Sequence, residues 1–229
     1  MLFIDTASPA ELDQLIPTNI FAGVTTNPTV LRRAGLTQRD VPAIYQHAQG
    51  LGVKIFFAQA VGATFGQLRE SAEEILELGL NVHLKLPATP LGLRVATELQ
   101  GAGERILLTA VYDPTQGILA HELGLQWIAP YVGSMQDLGL NGVERTVQLH
   151  RILRTHESRT RVLAASLRRL DDLAALFAAG IPCATLAPAL ARHIVSNEHS
   201  VEMAQRFEVD AWAGTPDPDD PGVDGFATS

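Results

Sequence analysis

A chain of 229 residues with 46% hydrophobic positions can bury one sizeable core, and a formal charge of −8 without a basic run argues against nucleic acid or an anionic membrane as partner. Its one cysteine, Cys183, excludes an internal disulfide and fits a reducing compartment. No stretch reaches the roughly 20 apolar residues of a membrane span, and Met1-Leu2-Phe3-Ile4-Asp5 lacks a basic region ahead of a long apolar run, so a cytoplasmic protein is expected.

In chain order, short β-rich runs are predicted at 2–5, 22–25, 54–59, 82–86, 106–110, 126–131, 162–165 and 183–186. Amphipathic helical segments lie between them at 64–78, 90–101, 142–155 and 170–179, with Gly79, Gly101, Gly124 and Gly180 where helices would end. Many of the strands are almost wholly apolar, as parallel strands covered on both faces should be. A (β/α)₈ barrel satisfies this alternation. A doubly wound open sheet is the alternative, but no Gly-rich phosphate fingerprint follows the first strand. Beyond the eighth unit, 201–212 reads as an extra helix with Met203, Phe207 and Trp212 as anchors for the barrel's end or for a neighbouring subunit. The expected domain is 1–212, followed at 213–229 by a Pro/Gly/Asp-rich segment expected to be a mobile acidic tail.

The fourth run carries the main chemical signal. Val82, Leu84 and Leu86 alternate with His83 and Lys85, so period two turns the lysine away from one packed layer near a strand's C-terminal end. An ammonium in apolar surroundings is costly, and its lowered pKa frees the nucleophilic amine of a Schiff-base former. A lysine snorkelling at the mouth of an ordinary strand fits this stretch equally well. Around it, polar residues close the other apolar runs: Asp5, Thr25-Thr26-Asn27-Pro28, Gln59, Thr109, Tyr131 and Ser166. Chemistry in such a barrel lies at the strands' C-terminal ends. Each residue alone suits a cap or turn; the convergence of the set is what points to a site.

Gly23-Val24-Thr25-Thr26-Asn27-Pro28-Thr29 and Leu84-Lys85-Leu86-Pro87-Ala88-Thr89-Pro90-Leu91-Gly92 resemble the two signatures of the transaldolase family, especially the short branch containing fructose-6-phosphate aldolase. Phe3-Ile4-Asp5-Thr6-Ala7, Phe57-Ala58-Gln59, Thr109-Ala110-Val111-Tyr112, Gln116-Gly117, Ala129-Pro130-Tyr131-Val132 and Leu163-Ala164-Ala165-Ser166 follow in the family's order, so the resemblance spans roughly residues 1–212. It implies a cofactor-free class I aldolase acting on a ketose or sugar phosphate, often a decamer of stacked pentameric rings with the last helix on a neighbour. By this resemblance Lys85 is the Schiff-base lysine, and Asp5 and Asn27 assist carbinolamine formation and hold the donor's hydroxyls. Gln59, Thr109 and Tyr131 hold a proton-moving water, and Thr26 and Ser166 contact substrate.

Transaldolases carry a glutamate and a serine where this chain has Gln59 and Ala129, which resembles the aldolase branch instead. The family's phosphate-gripping arginine is replaced by Ser134, leaving Arg168 as the matching basic contact. Losing one of two charge-assisted contacts costs on the order of 1.5–3 kcal/mol, a weakened dependence on phosphate. Arg145 or Arg169 swinging in is the alternative.

Other chemistries find little support. The histidines, 7 in all, show no metal spacing, Gly-x-Ser-x-Gly is absent, and Cys183 lacks an electropositive setting. His83 shares the lysine's strand face and is a candidate tuning group. Two rival readings stand: a transaldolase passing a dihydroxyacetone unit between sugar phosphates, and a non-catalytic metabolite-binding barrel, for which Ser134 is the motive.

Overall fold

The computed structural model describes residues 1–99, 101 and 105–213. Eight parallel strands close into a barrel in sequence order: β1 Leu2–Asp5, β2 Phe21–Thr25, β3 Ile55–Gln59, β4 Val82–Pro87, β5 Ile106–Val111, β6 Trp127–Pro130, β7 Arg161–Ala164 and β8 Cys183–Leu186. This is the expected (β/α)₈ barrel. The strands fall within one residue of the expected ends, except that Tyr131 leaves β6 as an isolated bridge to Ala165.

Helices α1 Pro9–Leu15, α2 Pro28–Arg33, α3 Val41–Gly50, α4 Phe65–Glu77, α5 Pro90–Glu98, α6 Gln116–Glu122, α7 Val132–Asp137, α8 Gly142–Thr155, α9 Leu170–Ala178 and α10 Pro188–Val195 fill the crossovers. Side-chain caps start several of them: Asn27 accepts from the amides of Thr29 and Val30, Thr64 from Gln67 and Thr89 from Gly92. Helix α5 stops at Glu98, short of the expected 101. Of the expected stop glycines, Gly124 and Gly180 take left-handed backbone at φ 62° and 87°. Gly79 does not; a Cβ there would overlap the Tyr45 hydroxyl.

Inside the barrel the strands stack two kinds of ring. The lower is apolar and aromatic: Phe3, Phe57, Leu107, Trp127, Leu163 and Cys183 are buried together, with Phe57 centred 5.5 Å from Phe3 and 5.4 Å from Trp127, edge to face. Full burial of such a side chain contributes about 1.5–3 kcal/mol, which makes this ring the barrel's dry floor. The next inward position is two residues further along each strand. That step leads from Phe3 to Asp5, Gly23 to Thr25, Phe57 to Gln59, His83 to Lys85, Leu107 to Thr109 and Cys183 to Thr185. The upper ring is therefore polar except at Ala129 and Ala165, two residues beyond Trp127 and Leu163, and sits on an apolar floor. At Gly23 the strands approach so closely that a Cβ would overlap the Ile55 carbonyl oxygen of β3.

Compact packing groups Met1–Arg192 as one unit and His193 onward as a second. In the second, helix α11 Glu198–Trp212 begins three residues before the expected 201, because Asn197 caps it on the Ser200 amide. The expected anchors Phe207 and Trp212 are exposed, Trp212 at 85%. The expected acidic tail lies outside the described residues beyond Ala213. Among the described residues no helix is long and apolar enough to cross a membrane.

Candidate active site

Asp5, Asn27, Gln59, Lys85, Tyr131, Ser134, Ser166 and Arg168 all line one cavity of about 440 Å³ at the C-terminal ends of the strands. Lys85 is its floor. The side chain is 5% exposed, and Nζ donates to the Thr26 carbonyl at 2.9 Å. Burial pushes the amine's pKa down, and the Asp5 carboxylate opposes that in part. Gln59 stands beside it in the register of β3 and β4.

Asp5 is held in place from its own ring. The Thr25 hydroxyl donates to its Oδ1 at 2.7 Å and lies 2.7 Å from the Thr185 hydroxyl. Across the mouth, the Thr109 hydroxyl donates to the Tyr131 phenol at 3.0 Å, and the Tyr112 ring packs 5.9 Å from that of Tyr131. Burial raises the Tyr131 pKa above its ordinary value, so the phenol keeps its proton near neutral pH.

Two predicted contacts sit behind the cavity wall. Thr26 is buried, with its hydroxyl on the Phe57 carbonyl at 3.1 Å; its contribution to the site is the backbone oxygen that receives Lys85. Thr109 is likewise buried and faces Tyr131. Asn27 lines the cavity, but its Oδ1 is engaged as the cap of α2, at 2.9 Å from Thr29 N. Only its amide nitrogen remains for a ligand.

The outer mouth carries the changed anion contacts. The Ser134 and Ser166 hydroxyls are 2.9 Å apart, and Arg168 is held by Asp137 at 3.0 Å. Gly133 permits this closeness, since a Cβ would overlap the Ser166 carbonyl oxygen. Ser166 itself has φ 60°, and Ala110, at the end of β5 where its pairing register shifts, has φ 55°. Both line the cavity, and non-glycine residues held left-handed are typical of functional sites.

Sequence reasoning missed Arg33, Thr29, Tyr112 and Thr185 in the lining. Thr185 was within reach: it is the residue two beyond Cys183 on the last strand. Arg33, at the end of α2, carries no such signal, and no carboxylate pairs with it among the described residues. Arg145, weighed as a substitute grip, pairs with Asp113 at 3.3 Å in another cleft. His83 lies in the floor, its ring 5.0 Å from Phe57; burial and the nearby Arg105 push its pKa down to about 4. Among the described residues its Nδ1 has no partner.

The chain is similar to known proteins over most of its length. The model of the family described as transaldolase/fructose-6-phosphate aldolase matches residues 2–229. A probable transaldolase of Brucella melitensis is 28% identical over 213 residues, covering 93% of this chain and 96% of that protein. A probable transaldolase of Paracoccus denitrificans is 27% identical with the same coverage. A solved mandelate oxidase variant superposes with a TM-score of 0.60 at 10% identity, over 83% of this chain and 66% of that one; this likeness is one of fold alone.

Proposed function

We propose that this chain, which belongs to the transaldolase/fructose-6-phosphate aldolase family and is an enzyme of that type, forms a Schiff base at Lys85 and uses it to cleave or form a C–C bond next to a dihydroxyacetone-like unit. The observation that carries the proposal is the buried lysine of depressed pKa at the floor of a polar cavity. Its neutral amine adds to a ketose carbonyl, and Asp5 relays the protons that turn the carbinolamine into an iminium and water. The iminium withdraws electrons as the aldol C–C bond breaks; the hydroxyl proton leaves to a water held by Gln59 and Tyr131, and an aldehyde departs. The remaining enamine is protonated and hydrolysed, which frees the ketone and restores the amine. Thr109 acts through Tyr131 as a positioning residue.

An aldolase is favoured over a transaldolase because Gln59 cannot titrate and Ala129 brings no hydroxyl, which leaves Tyr131 to carry more of the proton work of C–C cleavage. The names of the relatives favour the second reading, transfer of the unit to an acceptor sugar phosphate. Product formation without an acceptor aldehyde separates the two.

Arg33 supplies the phosphate grip that Ser134 lacks, because Arg168 is shared with Asp137 while Arg33 faces the same cavity with no carboxylate paired to it among the described residues. Replacing Arg33→Ala should raise KM for phosphorylated ketoses about ten- to a hundredfold, the value of one charge-assisted contact, and spare unphosphorylated ones. Ring assembly is supported by the apolar residues that α11 exposes, and a reducing, cytoplasmic setting by the lone buried thiol of Cys183.

The deciding experiment is intact mass after borohydride reduction with phosphorylated and unphosphorylated ketoses, with Lys85→Ala as control. A mass gain confined to the lysine-containing protein is expected. No gain with any ketose would overturn the proposal.

A further inference from the structure

A second cleft, of about 820 Å³, opens at the opposite end of the barrel. Its walls are the last turns of α8 (His150, Arg151, Arg154), the loop into β7 (Arg159, Arg161), and the turn between α9 and β8 with Gly180. Arg161 is the first residue of β7 and Cys183 the first of β8, so the cleft faces the strands' N-terminal ends, away from Lys85.

The lining holds four arginines and a histidine, and no carboxylate. In a chain of net charge −8 that is a concentrated reversal of sign. None of the four arginines has a carboxylate within ion-pair distance among the described residues. Glu157, in the same turn, is outside the lining. Compensation of the α8 dipole accounts for Arg154, in the helix's last turn, but not for Arg159 or Arg161, which lie beyond it. Arg161 is fixed by stacking over the Trp127 ring at 5.6 Å. The loop between is braced as well: the Ser158 hydroxyl donates to Thr160, whose own hydroxyl donates to the Leu125 carbonyl at 2.7 Å. Gly180 and Ala179 leave the far wall without bulk, with His150 Nε2 3.8 Å from where a Gly180 Cβ would stand.

We propose that this cleft is a binding site for a small anion bearing two or more phosphate groups. Planar guanidinium forks match phosphate oxygens in pairs, and four of them exceed what one phosphate group requires. The cavity is of the size that small-molecule sites occupy. His150 adds a group that answers to the ligand: burial and Arg154 lower its pKa, and a bound polyanion would raise it. The site is independent of the Lys85 chemistry and stands whether or not that reading holds.

The test is titration calorimetry of the full-length chain with inorganic pyrophosphate, repeated for Arg154→Ala/Arg159→Ala and, as a control at the catalytic mouth, Arg33→Ala/Arg168→Ala. One pyrophosphate per chain is expected at the cleft, beyond any weaker binding at the catalytic mouth, and the affinity of that tighter site should fall at least tenfold in the first variant and stay unchanged in the second. Thermal unfolding of each variant without ligand confirms that it is folded, and Arg154→Lys/Arg159→Lys covers the case where it is not: it retains charge but loses the forks, and should bind more weakly than the unaltered chain. Absence of binding, or binding abolished only by the catalytic-mouth variant, would overturn the proposal.

Discussion

Replacing Lys85→Met tests whether the amine at the barrel floor is stored without its proton. The side chain is buried, and its pKa is depressed from the ordinary 10.5 chiefly by loss of water. In the unfolded chain the amine regains that ordinary value, so between the folded and unfolded pKa values the unfolded state binds more protons and the native state becomes more stable as pH rises. Each pH unit of depression costs the native state about 1.4 kcal/mol at pH 7, with a ceiling of about 5 kcal/mol there. Methionine has similar volume and no charge to desolvate, so it removes the penalty. It also leaves the Thr26 carbonyl without its donor, a loss of about 1–3 kcal/mol that does not change with pH. Urea unfolding of both proteins at pH 7, 8, 9 and 10 isolates the ionisation. Stability of the variant relative to the unaltered chain should fall as pH rises, by as much as about 1.4 kcal/mol per unit. A difference that stays flat across this range would refute the reasoning, because it would mean that the buried amine titrates as it does in water.

Changing Tyr131→Phe should cut C–C cleavage by about 10²–10⁴-fold while the Lys85 adduct still forms under borohydride, since in the proposed mechanism the phenol serves proton transfer and not addition; full cleavage activity in that variant would reject its role. The same change strands the buried Thr109 hydroxyl and should lower stability by about 1–3 kcal/mol, measurable as a shifted urea midpoint. Gly23→Ala should destabilise by about 3 kcal/mol or prevent folding, because its Cβ meets the Ile55 carbonyl in the neighbouring strand; an unchanged urea midpoint would disprove that contact. Cys183 is fully buried and burial raises its thiol pKa, so a thiol reagent should modify it only as the chain unfolds. Rapid modification of the native protein would show that the barrel floor is open.

Much of the site was legible because the barrel uses a period of two. Once the apolar floor is seen in Phe3, Phe57, Leu107 and Cys183, the residue two further along each strand must face the same interior, and there the sequence turns polar. What period cannot give is which polar residue reaches the cavity and which stands behind it. Thr26 and Thr109 share their chemistry with Thr185, which lines the cavity, yet they point their hydroxyls at Phe57 and Tyr131. Arg33 was illegible for another reason: an arginine in a helix's last turn is the usual complement of the dipole, and only the closure of the barrel brings that turn over Lys85. The helix α7 escaped detection because its six residues are too few to show a helical period. The pairing of Arg168 with Asp137 is a contact across α7 and the loop after β7, which no local pattern announces.

The left-handed backbone at Ala110 and Ser166 bears on how far this protein can be hardened against heat. Each non-glycine residue held there costs on the order of 1–2 kcal/mol, a reserve that glycine at either position would release in part. Both strained peptides line the cavity above Lys85, so a campaign that selects for melting temperature alone would be drawn to the two places where added backbone freedom loosens the wall of the proposed site. A screen scoring turnover together with melting temperature would keep the tension at these strand ends, and look for its gains in the exposed helices instead.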